Sequence, residues 1–311
     1  MRRRLLSSCL LAATLALPFA ARAEAAGPAD AKSRVAIISA FSPELTILLG
    51  KTQVERKVSI NGIEFTLGKL AGKDVVLFLS GESMVNAASN TQLLLDRFNV
   101  KAIVFSGIAG GVNPAFHIGD VVVAKQWGQY LQADFARQVG NHYRLPNGDK
   151  KVFKNFEFIF PQPVTVVTAD HPKGETRFWF QVDPGMLAAA RTIKHAVQGE
   201  LQRCTADNQC LDQAPRFEVG GNGVSGMAFV DNKAFREYTY ATFKANVLDE
   251  ESAAVATVAT VNATPFLIFR SLSDLAGGGP GQNEEGTFFQ LAANNSAAAV
   301  TTFLETWRPG R

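Results

Sequence analysis

Hydrophobic residues in this chain fall into short continuous runs and longer periodic stretches. Runs that are apolar at nearly every position are typical of strands buried on both faces of a parallel sheet. They predict strands at residues 35–40, 102–106, 120–127, 163–169 and 265–271. The run at 102–106 leads directly into a predicted glycine loop at 107–111. A further stretch alternates around Asn61-Gly62, a dipeptide that favours the tight turn of a β-hairpin.

Other stretches repeat their apolar residues with the helical period of about 3.6 residues. They predict helices at residues 84–98, 234–243, 250–263 and 286–307. Ser42 in SPEL is expected to cap a further helix that begins just after the first strand. Residues 128–215 are less regular, and no linker separates them from the rest. Strands that alternate with helices predict a single α/β domain with a mixed, mostly parallel central sheet flanked by helices.

Composition supports a folded protein without a nucleic-acid partner. The chain has 311 residues, of which 47% are hydrophobic and 19% are charged, so it can bury a large core. Its formal net charge of +3 is small and spread along the chain, unlike the basic patch of a nucleic-acid-binding protein.

The first residues have the pattern of an export signal. Three arginines precede an apolar stretch that ends in Ala21-Arg22-Ala23, an A-x-A cleavage site. We expect a signal peptide at 1–23, a flexible mature N-terminus at 24–33 and one domain at 34–311. A lipoprotein signal at Cys9 is a less favoured alternative. No later run is long enough to span a bilayer, so the protein is expected in the periplasm or outside the cell, without stable membrane association.

The mature chain would keep two cysteines, Cys204 and Cys210. Two cysteines close together on a polar loop of an exported protein predict a disulfide. Metal binding is the weaker alternative, because no further ligands accompany them and the four histidines are scattered. We expect neither a metal nor a cofactor.

Several polar groups follow predicted strands, where ligands of open α/β sheets bind. They are Glu44, Ser80, the glycine loop and Asp274. The chain has neither the phosphate-binding glycine motifs nor the motifs of serine hydrolases and zinc peptidases. Carboxylates in a shared cleft are therefore the candidate chemistry.

Six segments carry a more specific signal. They read VAIISAFSPELTILL, SGESMVNAASNTQLLLDRF, SGIAGGVNPAFHIGDVVVAKQW, SGMAFVDN, VLDEESAAVATVA and RSLSDLAGGG. In this order they resemble the nucleoside phosphorylase/nucleosidase superfamily, over about residues 34–307. The catalytic branch to which they are most similar is that of the methylthioadenosine/S-adenosylhomocysteine nucleosidases. The wording of several motifs, and the loop with the two cysteines, look more like exported plant proteins of the bark-storage type.

The resemblance implies that the chain cleaves the N-glycosidic bond of a purine nucleoside between two carboxyl groups. Asp274 matches the general acid that protonates N7 of the leaving purine, and Glu44 matches the general base that activates water. A protonated purine leaves as a neutral base from an oxocarbenium-like ribose. Asp274 must then keep its proton near neutral pH, which requires a poorly solvated site.

The resemblance also assigns the substrate contacts. Glu251 would accept hydrogen bonds from the ribose 2′- and 3′-hydroxyls, as a carboxylate suits a vicinal diol. Phe229 would stack on the purine, and the backbone of Val230 would read its edge. Ser80, Arg270 and Ser273 would position the water or Asp274. The remaining expected contacts are Glu250, which stands where the nucleosidases usually carry a methionine against the ribose, and Gly107, Ala109 and Gly110, which would let the backbone approach the ribose.

Water is the expected acceptor of the ribosyl group. Phosphorylases of this superfamily surround phosphate with arginines, but AIVFSG lacks the arginine expected there, and Glu44 would repel phosphate. Phosphorolysis remains an alternative. A non-catalytic nucleoside-binding or storage role and an α/β binding protein unrelated in function are the others. A homo-oligomer, with a dimer favoured, is implied too, and its lid or interface could come from the segments near Trp127, Tyr130 and Phe135.

Overall fold

The computed structural model describes residues 27–308. Strands form where β-branched and other apolar residues cluster, because such side chains pack well on a pleated surface. The described residues contain eighteen strands: β1 (Asp30–Ser39), β2 (Gln53–Ile60), β3 (Ile63–Leu70), β4 (Lys73–Leu79), β5 (Phe98–Gly111), β6 (Val121–Val123), β7 (Gln126–Gln129), β8 (Ala133–Phe135), β9 (Arg137–Val139), β10 (His142–Arg144), β11 (Ile159–Pro161), β12 (Val164–Val166), β13 (Glu175–Arg177), β14 (Trp179–Gln181), β15 (Phe217–Val219), β16 (Asn222–Ser225), β17 (Ala245–Asp249) and β18 (Phe266–Asp274).

Most of the helices pack in two groups. Residues 27–308 contain seven α-helices: α1 (Ser42–Gly50), α2 (Met84–Arg97), α3 (Pro184–Thr192), α4 (Lys194–Glu200), α5 (Lys233–Phe243), α6 (Ser252–Val261) and α7 (Glu285–Thr306). Helices α1, α3 and α4 contact α7, which lies on β18 and β5, whereas α2 packs against α6. The four predicted helices and the Asn61-Gly62 hairpin between β2 and β3 are confirmed, with small shifts of boundary.

Twelve of the described strands form one mixed sheet, as expected. Nine of them lie in the order β14-β7-β16-β17-β5-β1-β4-β3-β2, while β18 pairs with β5 and β6, and β15 pairs with β6. Strands β4, β1, β5 and β18 run parallel to one another. Their carboxyl ends therefore meet at one edge of the sheet, where a ligand site is expected.

The strands at the centre carry long apolar runs because helices cover both faces of the sheet. All nine residues of β18 are buried. On the α7 side, the Phe269 ring of β18 lies 5.3 Å from that of Phe303, with Phe217 of β15 at 6.5 Å on another side. Such packing fixes the end of β18, and with it Asp274, relative to β5.

The predicted glycine loop at 107–111 is wrong, because these residues continue β5 as a strand. Gly107, Ala109 and Gly110 pair with Arg270, Leu272 and Asp274 of β18. Gly110 and Gly111 also pair with β17, which runs antiparallel to β5. The backbone thus finds hydrogen-bond partners on both sides, and that pairing outweighs the turn preference of glycine.

Other boundaries also differ from the pattern. The expected strand at 120–127 is two strands, β6 and β7, and that at 163–169 shortens to β12. Ser42 does not cap α1 but is its first residue, and the cap position is Phe41. Residues 128–215 hold short strands and two helices that the pattern missed, α3 and α4. Within them Cys204 and Cys210 form the expected disulfide, with an S–S distance of 2.02 Å.

The N-terminal boundary lies earlier than expected. β1 begins at Asp30, inside the stretch assigned to a flexible N-terminus, and Arg34 anchors it through Asp30 and Glu55. The predicted signal peptide at 1–23 lies outside the described residues, as do residues 309–311. Among the described helices, none combines the length and apolarity needed to cross a membrane.

Candidate active site

A cavity of about 420 Å³ opens at the carboxyl ends of β1, β5, β17 and β18. This volume lies within the range of small-molecule sites, about 300–1,000 Å³. It brings together most of the side chains that the sequence pointed to, from α1, β5, β18 and the loops before α2, α5 and α6. Its lining consists of Ala40, Phe41, Glu44, Glu82, Ser83, Ile108, Ala109, Gly110, Met227, Ala228, Phe229, Val230, Leu248, Glu250, Glu251, Arg270, Ser273, Asp274 and Glu285.

Asp274 is the last residue of β18 and is only 3% exposed. Its carboxyl group accepts hydrogen bonds from the Ser273 hydroxyl at 2.9 Å and from the Ala276 N–H at 2.7 Å. Burial raises the pKa of Asp274, although these donors and Asn283 oppose the shift. No cation of the described chain pairs with it. This environment therefore favours the protonated form of Asp274 more than water favours the protonated form of a surface aspartate.

Glu44 lies in the first turn of α1 and is 1% exposed. One carboxyl oxygen accepts from the Ala40 N–H at 2.7 Å and the Phe41 N–H at 3.4 Å, while the other accepts from the Ile108 N–H at 2.8 Å. Burial raises the pKa of Glu44, and Arg270 and the three N–H donors oppose the shift. Donors at both oxygens suit the ionised form, and the raised pKa makes that form a stronger base.

Arg270 holds three carboxylates at the centre of the site. Its guanidinium is 2.7 Å from Asp249, 3.2 Å from Glu251 and 3.6 Å from Glu44. It also lies over the Phe105 ring, 4.2 Å from the ring centre. Burial alone would lower the pKa of Arg270, but nearby negative charges, chiefly those of Asp249, Glu251 and Glu44, outweigh burial and raise it. Of the two roles expected for Arg270, positioning the water or Asp274, these partners favour the first, because they lie on the Glu44 side of the site.

Asp249 anchors this network without lining the cavity itself. It is 2% exposed and accepts from the hydroxyls of Ser225 and Ser252. The N–H groups of Glu251 and Ser252, which open α6, also donate to it, at 3.2 and 3.1 Å. A carboxylate at a helix N-terminus is stabilised by the unpaired N–H groups there. Asp249 thus fixes both the start of α6 and Arg270.

Glu251 links this network to the loop before α2. One of its oxygens meets Arg270, and the other accepts from the Ser83 N–H at 2.8 Å. Ser83 has φ 80° and ψ 152°, a conformation that is rare for any residue other than glycine. Strain of this kind persists only where surrounding contacts fix the backbone, and here it places an N–H against Glu251. Burial raises the pKa of Glu251 to about 7.

Gly107 explains how Arg270 and Glu44 approach β5 so closely. A Cβ at this position would lie 2.5 Å from Glu44 Oε1 and would overlap the Arg270 guanidinium. Gly107 thus makes room for protein side chains, and it is absent from the lining of the cavity, so the expected close approach of its backbone to a ribose stays a prediction. Ala109 and Gly110 do line it, and Gly110 lies near Asp274.

Apolar groups line one wall of the cavity. Phe229 and Met227 lie on the loop between β16 and α5 and are 62% and 66% exposed, whereas Val230 is buried. An exposed aromatic ring at a cavity wall can stack on a planar ligand. Of the three aromatic residues that mark the segments expected to supply a lid or interface, Trp127 and Tyr130 are buried within the protomer, whereas Phe135 is 69% exposed. A lid or interface formed by these segments stays a prediction.

Two expected residues, Ser80 and Gly107, are not part of the lining, whereas several residues that were not expected, among them Ser83 and Glu285, are part of it. Ser80 is fully buried, and its hydroxyl donates to the Gly81 carbonyl. Sequence reasoning missed the roles of Asp249 in holding Arg270 and of Ser83 in holding Glu251. The acidic triplet at 249–251 was the available signal for Asp249, since a buried strand end seldom carries three acids without a cation.

The cavity is strongly acidic. Five carboxylic side chains besides Asp274 face it, and Arg270, the one basic residue in the described lining, is already paired with carboxylates. Within residues 27–308 no group of three His, Cys, Asp or Glu side chains is arranged to hold a metal ion. The arrangement can thus supply a proton from one buried acid and accept one at another, but it offers little attraction to an anion.

Comparison with known proteins agrees with this geometry. The model of the phosphorylase superfamily matches residues 34–305. The chain is 30% identical over 282 residues to the 5′-methylthioadenosine/S-adenosylhomocysteine nucleosidase of Listeria innocua, covering 88% of this chain and 99% of that protein. A 5′-methylthioadenosine/S-adenosylhomocysteine nucleosidase from Colwellia psychrerythraea, whose structure was solved in complex with adenine, superposes on this chain with a TM-score of 0.64. The two are 27% identical, and the superposition covers 88% of this chain and 95% of that chain. Futalosine hydrolase of Helicobacter pylori shares the fold, with a TM-score of 0.65, 21% identity and coverage of 88% and 98%.

Replacing Gly107 with alanine should displace Arg270 and Glu44 and destabilise the protein. We expect a loss of about 1–3 kcal/mol in the free energy of unfolding, the usual cost of overpacking a core. Gly50→Ala is the matched control, since Gly50 ends α1 and a Cβ there would meet nothing within 4 Å. Chemical denaturation of the two variants measures the difference. Equal stability of both would contradict the close approach described here.

The acidic cavity also predicts how stability depends on pH. Burial and the charges of Asp249 and Glu251 raise the pKa of Glu250 from 4.5 to about 9. The folded state therefore binds this proton more tightly than the unfolded state, so stability should fall as pH rises from 4.5 to 9. Glu250→Gln should reduce that fall, whereas the exposed control Glu200→Gln should leave it unchanged. Melting temperatures across this pH range test the prediction, and a wild-type slope that Glu250→Gln does not alter would refute it.

Proposed function

The chain belongs to the phosphorylase superfamily, and from this membership and the cavity we propose that it hydrolyses the N-glycosidic bond of a purine nucleoside. The relative from Listeria innocua is a nucleosidase, and its alignment with this chain covers 88% of this chain and 99% of that protein. The observation that carries the proposal is the placement of Asp274 and Glu44. Both are buried, both line one cavity, and their surroundings differ in the way that a general acid and a general base require.

In the proposed reaction Asp274 gives its proton to N7 of the purine as the bond to ribose breaks. The electrons of that bond go to the base, which leaves neutral. Water then attacks the electron-poor C1′ of the ribose, and Glu44 takes a proton from it. The products are a free purine and a free ribose, and exchange with solvent returns the proton to Asp274 and removes it from Glu44.

The remaining lining residues fit the two halves of a nucleoside. Glu251 would accept hydrogen bonds from the ribose 2′- and 3′-hydroxyls, since each of its oxygens keeps lone-pair capacity beyond its one protein donor. Phe229 would stack on the base at its exposed face, and the Val230 backbone would meet the base edge. Ser273 would position Asp274 through its hydroxyl. Arg270 would position Glu44 and Glu251.

Water is the proposed acceptor because the cavity disfavours a phosphate dianion. Phosphate sites offer several unpaired cationic donors. Here the carboxylates of Glu44 and Glu251 flank Arg270 and would repel a phosphate. An entering phosphate would have to displace one of these partners and leave it buried without its cation.

Export and self-association belong to the proposal as well. The export pattern at residues 1–23 supports a periplasmic or extracellular protein. Exposed apolar side chains at the cavity mouth, Met227 and Phe229, and Val85 nearby on α2 support a second subunit that covers them, with a dimer favoured.

The direct test is release of free base from adenosine, inosine and 5′-methylthioadenosine by the mature protein, with and without phosphate. We expect equal release in both conditions, together with free ribose or methylthioribose. Release that requires phosphate and yields ribose 1-phosphate would favour phosphorolysis. Tight binding of these nucleosides without any release would favour the non-catalytic alternative.

Removing either carboxyl group should abolish most of the activity. We expect Asp274→Asn and Glu44→Gln each to lower kcat/KM by about 10²–10⁴-fold, the usual contribution of general acid–base catalysis. The wild-type pH profile should be bell-shaped, falling at high pH as Asp274 loses its proton and at low pH as Glu44 gains one. Asp274→Asn should remove the high-pH limb from the residual activity.

The exposed residue Asp212 supplies a matched control, Asp212→Asn, that should keep wild-type rates. Wild-type rates for Asp274→Asn would contradict the assignment of the acid. A residual profile that keeps its high-pH limb in that variant would do the same.

A further inference from the structure

Glu250 is the one member of the acidic triplet that no protein group engages. Asp249 and Glu251 on either side of it point to Arg270, at 2.7 and 3.2 Å. The Glu250 side chain instead lines the cavity, and within the described chain no hydrogen bond or ion pair reaches its carboxyl group. A partly buried polar group without a hydrogen-bond partner costs stability. A ligand bound in the cavity could supply that partner to Glu250.

The charge state of Glu250 limits what that ligand group can be. Burial and the neighbouring negative charges raise the pKa of Glu250 to about 9, so its carboxyl group is protonated near neutral pH. A protonated carboxyl group donates one hydrogen bond and accepts others. Its best partner both accepts and donates, as a hydroxyl group does. A thioether sulfur accepts weakly and donates nothing.

The position of Glu250 beside Glu251 indicates which sugar hydroxyl of the substrate it would bind. An unmodified ribonucleoside has three free sugar hydroxyls, and two of them are vicinal. The proposed function gives that vicinal pair to Glu251, which leaves the 5′-hydroxyl for the neighbouring side chain. The proposed function assigns Asp274 and Phe229 to the base, which leaves the sugar as the part of the substrate for Glu251 and its neighbour Glu250.

We propose that Glu250 is a specificity-determining residue that selects purine nucleosides with a free 5′-hydroxyl over those with a 5′-thioether. This inference rests on the proposed function and deepens it. A 5′-methylthio group would place an apolar methyl and a weak acceptor against the carboxyl group and leave it without a partner. Sites that hydrogen-bond a substrate hydroxyl discriminate strongly against analogues that lack it.

The experiment compares kcat/KM for adenosine and 5′-methylthioadenosine, which differ only in the 5′ group. Wild-type protein should prefer adenosine. Glu250→Met should lower that preference by about ten- to a hundredfold, the effect of losing one buried hydrogen-bonding partner. Glu250→Gln should keep most of it, because a carboxamide also donates and accepts. Circular dichroism and melting temperatures establish that each variant is folded.

A matched control separates this effect from a change in cavity charge. Glu285 lines the same cavity near Asp274, whose charge contributes to the raised Glu285 pKa. Glu285→Met should therefore change the rates for both nucleosides together and leave their ratio unaltered. A wild-type preference for 5′-methylthioadenosine, or a ratio that Glu250→Met does not change, would overturn the proposal.

Two further measurements make the result independent of the proposed function. Dissociation constants for both nucleosides, measured with Asp274→Asn, should show the same preference and the same loss with Glu250→Met in that background. If wild-type protein cleaves neither nucleoside, the proposed function fails, while these constants still support or overturn the role of Glu250. Loss of discrimination against 2′-deoxyadenosine or 3′-deoxyadenosine, with the 5′ ratio unchanged, would overturn the assignment to the 5′-hydroxyl.

Discussion

A single buried guanidinium, that of Arg270, sets the arrangement of the whole site. Three buried carboxylates from three different elements converge on it, and none of them could remain ionised there alone, because burying a lone charge is far too costly. The fold accommodates this cluster by packing the guanidinium on Phe105 and by leaving no side chain at Gly107. Helix α1, the start of α6 and strand β18 are thereby tied together at the cavity floor.

Distance from that cation gives the two candidate catalytic carboxyl groups different environments. Glu44 has Arg270 nearby and N–H donors at both oxygens, which suits a carboxylate. Asp274 lies at the end of the same strand without a cationic partner, and burial raises its pKa. One strand, β18, thus carries both the cation that favours a charged Glu44 and the carboxyl group whose pKa is raised by burial. Acid and base roles on one site commonly arise from such a contrast.

The local pattern of apolar and polar residues predicted much of the fold and the location of the site. Continuous apolar runs indicate strands, and polar residues just after them indicate a ligand site, and both signals lie within short stretches of sequence. The strands at 35–40 and 265–271, the four helices, and the convergence of Glu44 and Asp274 all belong to this class. The prediction of a loop at the glycine-rich segment SGIAGG was wrong, because its strand conformation depends on pairing with β17 and β18, which are distant in sequence. The partners of Arg270 were missed for the same reason. Helix α3 carried a readable signal, in that Asp183 caps it and Pro184 opens it, yet the surrounding irregular segment hid it.

The central claim is that Asp274 and Glu44 flank one glycosidic bond, and a crystal structure with a purine C-nucleoside tests it most directly. In such an analogue a carbon–carbon bond replaces the cleavable bond, so the complete nucleoside stays in the site. The account predicts the Asp274 carboxyl group about 3 Å from the nitrogen at position 7 of the base, with Glu44 and an ordered water on the opposite side of C1′. A base that lies out of reach of Asp274, or a sugar whose C1′ does not face Glu44, would contradict it.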